Sequence, residues 1–330
     1  MIPLACPRCR AALASTGGGP LACASGHQFP VHFGIPDLRV SGDPYLSVED
    51  DLAAAGRLMA SRGAGVRGML EAYYAENPKV SAAQAQRFAA GAATAADRAQ
   101  VVLGAWEQLA GHALPAPGVA LDLGAGTGGL AVALARSGRR VLALDAGMRW
   151  LVVAAERCRE AGVDVQLVCA NAEALPLPDG SVDVVAGESV LENVQGQASA
   201  VREGHRVLRA AGVLWLTTPN RLFPGPDPHV GMLAGGWFSD AAVARYATRR
   251  GMVPPRRTLL SRRELEQLLR SGGFRDLRCA APDVSEAQRR AASPMLRIAV
   301  DAYRVIRRMP VARDALLWAG PTLLATAVRD

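Results

Sequence analysis

The sequence predicts an α/β fold: a mostly parallel sheet with helices on both faces, preceded by a small cysteine-bearing knot and a helical segment. Three observations carry that expectation. From Val119 onward, short apolar runs alternate with stretches of helical period. The first of these runs enters "LDLGAGTGG", a strand, a glycine turn and the start of a helix. The opening 40 or so residues are turn-rich and hold three cysteines, in a block too short to bury a sufficient apolar core alone.

Three blocks follow in order. Residues 1–40 form the knot. Residues 41–115 read as a helical lid or linker, because "VEDDLAAAGRLMA", "VRGMLEAYYAEN" and "AADRAQVVLGAWEQLAG" place apolar groups at helical spacing. "LPAPG", Leu114 to Gly118, then breaks the pattern. Residues 116–330 form the sheet domain. Within it "VALDLG", "RVLALDA", "DVQLVCAN", "SVDVVAGE" and "VLWLTTP" read as strands. "GLAVALARSG", "RWLVVAAERCREAG" and "ASAVREGHRVLRAAG" read as the helices between them. "SRRELEQLLRSGGF" is a helix with Ser261 and Glu264 as a capping box and Gly272 near its end. "RDLRCAA" and "TLLATAVRD" can close the sheet.

Half of the 330 residues are hydrophobic and 5% are aromatic, which is a globular composition rather than a disordered one. The formal charge is +7, yet Lys79 is the single lysine among 37 basic residues. A GC-rich genome choosing arginine codons produces that bias, so charge points only weakly to nucleic acid or anionic membranes. "MIPLACPRCR" lacks a basic region followed by a long apolar run, and the 14-residue "ALLWAGPTLLATAV" contains a proline and is too short to span a bilayer. Cys158, Cys169 and Cys279 stand in apolar contexts and read as buried free thiols. A reducing, cytoplasmic setting is expected.

The knot has the spacing C-x2-C, thirteen residues, then C-x3-H: Cys6, Cys9, Cys23 and His27. Two short ligand pairs on facing turns suit tetrahedral Zn2+. Four protein ligands leave no open position, so such a site is structural. His32 competes as fourth ligand, but the Cys23–His27 pair has the better spacing.

In the glycine loop, Gly124, Gly126 and Gly129 match G-x-G-x-x-G, a pattern shared with nicotinamide enzymes. Three further features separate the possibilities. Asp122 precedes the first glycine by two, as in the "E/DxGxGxG" loop of class I methyltransferases. "CANAEALPLPDGSVDVV" resembles the "DAExLPFPDxSFD" segment of that family, and "REGHRVLRAAGVLWLTTPN" resembles its "E..RVLKPGG" helix–turn–strand. The chain is thereby similar to S-adenosylmethionine (SAM)-dependent methyltransferases with a Rossmann-like sheet, over roughly residues 119–280.

The resemblance implies a set of roles. The loop Gly124, Ala125, Gly126 and Gly128 would hold the methionine part, and Asp122 would help place its ammonium. Asp145, beside Ala146, would grip the ribose hydroxyls. Asn171, with Ala172 and Glu173, would meet adenine. Glu188 follows the fourth strand. "SVLENV" stands where relatives often have "LEHV", with Asn193 in place of the histidine, so a role borrowed from that histidine is not carried over; Glu192 could touch the cofactor or substrate, or simply start a helix. His205 lies among arginines on an amphipathic helix and reads as solvated, and His112 carries no signal. His229 follows the fifth strand in the proline-stiffened "TTPNRLFPGPDPHVG" and is the candidate general base; an incidental loop histidine is the competing account.

The knot resembles that of ribosomal RNA guanine-N1 methyltransferases, and "FPVHFGIPDL" resembles small ribbon proteins related to the tRNA-methyltransferase activator Trm112. Two classes of function follow: a methyltransferase whose ribbon contacts RNA, or one with a structural ribbon that acts on a small-molecule, lipid or glycolipid acceptor, by O-methylation. "TTPNRL" and the sparse aromatics of the ribbon, Phe29 and Phe33, favour the second. A non-catalytic SAM-binding partner protein is the alternative outside enzymes. "PMLRIAVDAYRVIRRMPVARDALLWAG" has an apolar face and an arginine face; it reads as a helix packed on its own sheet, or as one lying on a membrane or lipid.

Overall fold

In the computed structural model of the chain, which describes residues 1–15, 19–43, 45–76, 80, 82–111 and 118–330, the strand–helix alternation becomes one seven-stranded sheet. Five short strands come first: β1 (Leu13–Ser15), β2 (Leu21–Cys23), β3 (Gln28–Phe29), β4 (Val31–His32) and β5 (Ile35–Pro36). Four helices follow: α1 (Val48–Ala60), α2 (Gly65–Ala75), α3 (Ala82–Ala93) and α4 (Ala95–Ala110). The alternating region runs β6 (Val119–Leu123), α5 (Gly129–Arg136), β7 (Arg140–Asp145), α6 (Met148–Ala161), β8 (Gln166–Cys169), β9 (Val182–Glu188), α7 (Gln197–Val207) and β10 (Leu208–Pro219). It ends with α8 (Asp240–Arg249), α9 (Arg262–Ser271), β11 (Phe274–Ala280), α10 (Glu286–Ala291), α11 (Pro294–Arg308), α12 (Pro310–Ala319) and β12 (Thr322–Arg329).

The sheet order is β11-β12-β10-β9-β6-β7-β8. β9, β6, β7, β8 and β10 are mutually parallel, while β12 pairs antiparallel with both β10 and β11. The two C-terminal strands therefore close the sheet, as expected. Strand alternation sorts the core into two faces. Leu121, Leu123, Leu142 and Leu144 point to one side, where α7 and α9 contribute Val201 and Leu265. Ala120, Val141, Ala143 and Trp215 point to the other, against α4 and α5.

The N-terminal knot is part of this core. Ile2, Cys6, Phe29 and Leu38 join the same apolar cluster as the leucines of β6 and β7. Ala5 N–H donates to Pro176 O, Leu38 N–H to Cys169 O, and Ile2 N–H to Gln166 Oε1. No helix lies between β8 and β9. The knot covers the face that a crossover helix would otherwise protect.

The helices of residues 41–115 also belong to the core. Trp106 of α4 is fully buried and stacks on Trp215 of β10, ring centroids 5.1 Å apart. Leu58, Met69 and Leu70 of α1 and α2 pack with Leu151 and Val152 of α6. Within the stretch read as a lid or linker, α4 is one of the sheet's flanking helices. The expected boundary around Leu114, and His112 with it, lies outside the described residues. α7 is shorter than its apolar pattern, because Leu208–Gly212 join β10 through an irregular register between Leu208 and Val213. His205 is half-buried, edge-on to Phe274 at 5.2 Å, rather than solvated. The Ser261–Glu264 capping box forms as expected, and Cys158, Cys169 and Cys279 are buried free thiols.

Trp106→Ala should cost about 3–5 kcal/mol of folding stability, the usual range for emptying a buried aromatic site. Urea unfolding checks this; a loss below about 1 kcal/mol would mean that α4 does not anchor the sheet.

Candidate functional site

The parallel strands deliver their C-terminal ends to one edge, where open α/β sheets bind ligands. A cavity of about 460 Å³ opens there, lined by Gly124, Gly126, Asp145, Ala146, Asn171, Ala172, Glu173 and Glu188 from the loops after β6, β7, β8 and β9. Eight of the eleven residues assigned to the cofactor thus share one wall. Gly124 and Gly126 hold φ of 68° and 50°, the left-handed region that favours glycine. A Cβ on Gly124 would stand 2.5 Å from Val190, whereas one on Gly126 would meet nothing within 4 Å. Gly126 is therefore where a ligand can approach the backbone.

The other three sit behind the wall. Ala125 donates its N–H to Leu144 O, Gly128 packs on Ala154, and Asp122 is 1% exposed. Asp122 Oδ2 is buried with no hydrogen-bond partner among the described residues. Burial, with Glu188 and Asp145 adding repulsion, pushes its carboxyl well above the usual range. The backbone of Ala131 hydrogen-bonds the carboxyl and offsets part of that rise, so the one unsatisfied oxygen, Oδ2, is what a cationic ligand would stabilise.

Asp145 ends β7 with both oxygens engaged: Oδ2 accepts from Gly126 N–H and Oδ1 from Gly147 N–H, each at 2.8 Å. Each oxygen retains a lone pair, so the residue can still accept from a diol. Burial nevertheless raises its pKa. Asn171 departs from its assigned role. Its Oδ1 accepts from Val40 N–H at 2.9 Å and Ser41 N–H at 3.1 Å, and its Nδ2 donates to Ser41 O. Both carbonyl lone pairs are taken, so this side chain clamps the chain at 40–41 and has none left for an adenine amino group. Glu173 likewise holds the backbone of Gln195 and Gly196 through Oε1. Glu188 accepts from Arg98 Nε at 2.5 Å.

Sequence reasoning missed the roof. Ser41, Gly42, Asp43 and Tyr45 cross the cavity as a strap, joined by Tyr74, Arg149 and Trp150. The strap is held by buried ions. Asp51 of α1 accepts from Arg39 at 2.8 Å and Arg149 at 2.6 Å, and also from Met148 N–H. Arg39 also pairs with Asp37, and Arg149 with Asp43. In the sequence, Asp51 is an ordinary acidic residue in a first helical turn, and Arg39 stands outside any motif.

A second cavity of about 370 Å³ adjoins the first, and Glu188 and Ser189 line both. Ser189 holds φ at 57°, in the left-handed region, and its N–H donates to Thr217 O. Thr217 lines the second cavity, and its Oγ1 is buried without a hydrogen-bond partner among the described residues. Tyr303 and Gln288, from α11 and α10, close the far side.

His229 lines neither cavity. Its Nδ1 lies 3.6 Å from Asp227 Oδ1, and the same carboxylate accepts from His229 N–H at 2.8 Å and from Arg257. The proline-stiffened loop folds back on itself through Asp227, which turns the imidazole toward that acid. Near it, Glu192 is 1% exposed and accepts from Thr218 Oγ1 at 3.1 Å. Burial pushes its carboxyl up to about 7, against a smaller pull from Thr218 and His229.

Cys6, Cys9, Cys23 and His27 come together at the N-terminus, with their ligand atoms all within 4.8 Å of one another. Cys9 and Cys23 sulfurs are 3.6 Å apart, and His27 Nδ1 lies 3.5 Å from Cys6 Sγ and 3.4 Å from Cys23 Sγ. A tetrahedral ion with metal–sulfur bonds near 2.3 Å implies sulfur–sulfur edges of about 3.8 Å and sulfur–nitrogen edges of about 3.6 Å. The donor set fits such an ion. His32 is not in the group.

Residues 121–216 match the protein family described as "Methyltransferase domain". A "Probable S-adenosylmethionine-dependent methyltransferase" of Mycobacterium tuberculosis is 41% identical over 109 residues, covering 32% of this chain and 38% of that protein. A "Ubiquinone biosynthesis O-methyltransferase" of Sodalis glossinidius is 40% identical over 138 residues, covering 41% of this chain and 49% of that one. The chain thus spans half or less of the length of these relatives. Among solved structures, a SAM-dependent methyltransferase of Thermotoga maritima aligns over 74% of this chain and 94% of its own at 16% identity and a TM-score of 0.45. What these matches share with the chain is the segment around 121–216, which is similar to a methyltransferase domain.

Glu192 generates a pH test. Its folded pKa is raised, so the native state holds the proton more tightly than the unfolded chain. Its contribution favours folding at low pH and is lost as pH rises from about 4.5 through 7, by up to about 3 kcal/mol. Glu192→Gln should remove that slope. Urea unfolding of both proteins across this range should show the variant gaining relative to wild type as pH rises; parallel curves would place the Glu192 charge in a solvated setting.

Proposed function

We propose that the chain transfers a methyl group from SAM to a small-molecule or lipid acceptor, at a hydroxyl oxygen. The observation that carries the reading is the character of the first cavity. Asp43, Asp145, Glu173 and Glu188 line it with Asp122 behind, and among the described residues the cation on its wall, Arg149, is already paired with Asp43 and Asp51. Acidic walls favour a sulfonium and an ammonium and disfavour the pyrophosphate of a dinucleotide. Gly126 and the start of α5 suit the methionine carboxylate, and Asp145 suits the ribose diol. SAM, when bound, supplies an electrophilic methyl group.

The second cavity is our candidate for the acceptor, because Glu188 and Ser189 face both spaces and Thr217 offers it an unsatisfied hydroxyl. Its walls would hold the acceptor beside the methyl group and exclude water. The similarity to a ubiquinone-biosynthesis O-methyltransferase supports a hydroxyl acceptor. The geometry of His229 gives no support to a base role. RNA contact by the ribbon is the weaker reading, since Cys6 and Phe29 are buried against the sheet. For the cysteine–histidine group we propose a structural Zn2+, and for the chain as a whole a reducing cytoplasmic setting in keeping with its buried free thiols.

Calorimetry should detect SAM and its demethylated product but not NAD. Asp145→Ala should weaken SAM by about 1.5–3 kcal/mol, through loss of the diol acceptor and of the Gly126 anchor. NAD binding without SAM binding would overturn the assignment. Transfer of labelled methyl to fractionated cell extract then tests the acceptor: label in the lipid or small-molecule fraction supports the reading, and label confined to RNA refutes it.

Metal analysis of protein purified without added metal should give one zinc per chain. Cys23→Ser should lose it and lower the thermal midpoint, because the knot covers the sheet between β8 and β9. A metal-free wild type with an unchanged midpoint would refute the zinc proposal.

A further inference from the structure

α11 is built inside out. Its protein-facing side is polar: Tyr303 donates to Pro282 O, Arg304 to Val284 O and Glu286, and Arg307 to Asp283. Its solvent-facing side is apolar. Ile298, Ala302, Val305 and Met309 recur at i, i+4, i+7 and i+11 and form one stripe, with Ile298 72% and Val305 61% exposed. A helix lying on its own sheet has the opposite arrangement. The expectation that this segment packs its apolar face on the sheet is therefore corrected for α11, while Leu317 of α12 does join the core.

Beside the stripe stand Arg297, Asp301 and Arg308, of which Asp301 is bound by Arg289. Arg297 and Arg308 are exposed. Residues 286–319 hold seven arginines against three carboxylates. Trp318, on the helix packed against α11, is 65% exposed and adds an amphipathic ring to the same insertion.

We propose that the outer face of α11 docks the protein on an anionic lipid bilayer, lying in the plane of the interface. An apolar stripe flanked by arginines fits the boundary between acyl chains and negative headgroups. The charge argues against a second copy as occupant, because pairing two such faces would bring arginine stripes together. No helix among the described residues is long and apolar enough to cross a membrane, so the contact is peripheral. This inference rests on the surface of α11 and not on the methyl-transfer reading.

Vesicle co-sedimentation of the full chain, without cofactor, tests it. The wild type should sediment with vesicles containing phosphatidylglycerol, far less with phosphatidylcholine alone, and less as salt rises. Ile298→Asn with Val305→Asn should weaken the partition about tenfold or more, and Arg297→Gln with Arg308→Gln should reduce it and flatten the salt dependence. All four positions are exposed, so thermal midpoints should stay at the wild-type value and separate lost docking from lost folding. Absence of sedimentation with anionic vesicles, or an Ile298/Val305 variant that sediments like wild type, overturns the proposal. So does a wild-type dimer in analytical ultracentrifugation that the same double variant dissolves.

Discussion

The buried carboxylate of Asp51 ties together parts of the molecule that lie far apart in the sequence. It is fully buried and sits between Arg39 and Arg149 while accepting from the backbone of Met148. Through Arg39 it fixes the exit from the N-terminal knot, through its own helix it fixes α1, and through Arg149 it fixes the start of α6. Those three elements frame the strap over the first cavity. A buried pair of this kind adds little stability over an apolar substitute, but removing one partner leaves charges stranded at about 3–5 kcal/mol. Its value here is positional. Asp37 and Asp43 share the two arginines, so the strap has one arrangement in which every charge is paired.

This arrangement explains why a metal-type knot and a glycine-loop domain share a chain. The β8–β9 connection lacks a helix, and an exposed parallel-sheet face is unfavourable. The knot supplies Ile2, Cys6, Phe29 and Leu38 to that face. It then hands the chain on, through the Leu38–Cys169 backbone bond and Arg39, to the roof of the cavity. Cross-linking the knot with an ion would therefore stiffen a wall of the sheet and a lid of the ligand site together.

What was legible in the sequence is what local pattern dictates. The parallel strands are buried on both faces and read as apolar runs, so their positions and the glycine turn followed directly. Cys6, Cys9, Cys23 and His27 were legible because paired ligand spacing is a local signal. Arg39, Asp51 and Tyr74 were not, since their roles come from contacts across long sequence separations. Asn171 shows the same limit: its position after β8 suggested a ligand acceptor, and the strap whose backbone its Oδ1 binds lies 130 residues earlier. His229 was placed by its strand, while the turn made by Asp227 decided where it pointed. α3 and α8 went unread because alanine-rich stretches blur the period on which such reading depends, and the segment after Pro294 was read as one amphipathic helix where the structure has two, α11 and α12.

The insertion between β11 and β12 joins the second cavity to the surface. Its inner side supplies Gln288 and Tyr303 to the second cavity, while its outer side carries the apolar stripe. The polar residues that bind α11 to the loop at Pro282–Val284 are those that make its inner side polar, so the outward apolar face and the polar cavity wall are two consequences of one orientation. Rotating α11 by half a turn would bury Ile298 and Val305 but would break the bonds of Tyr303, Arg304 and Arg307 and open the cavity. The orientation observed keeps those bonds at the expense of exposed apolar surface, and a lipid surface is a partner that would remove that expense.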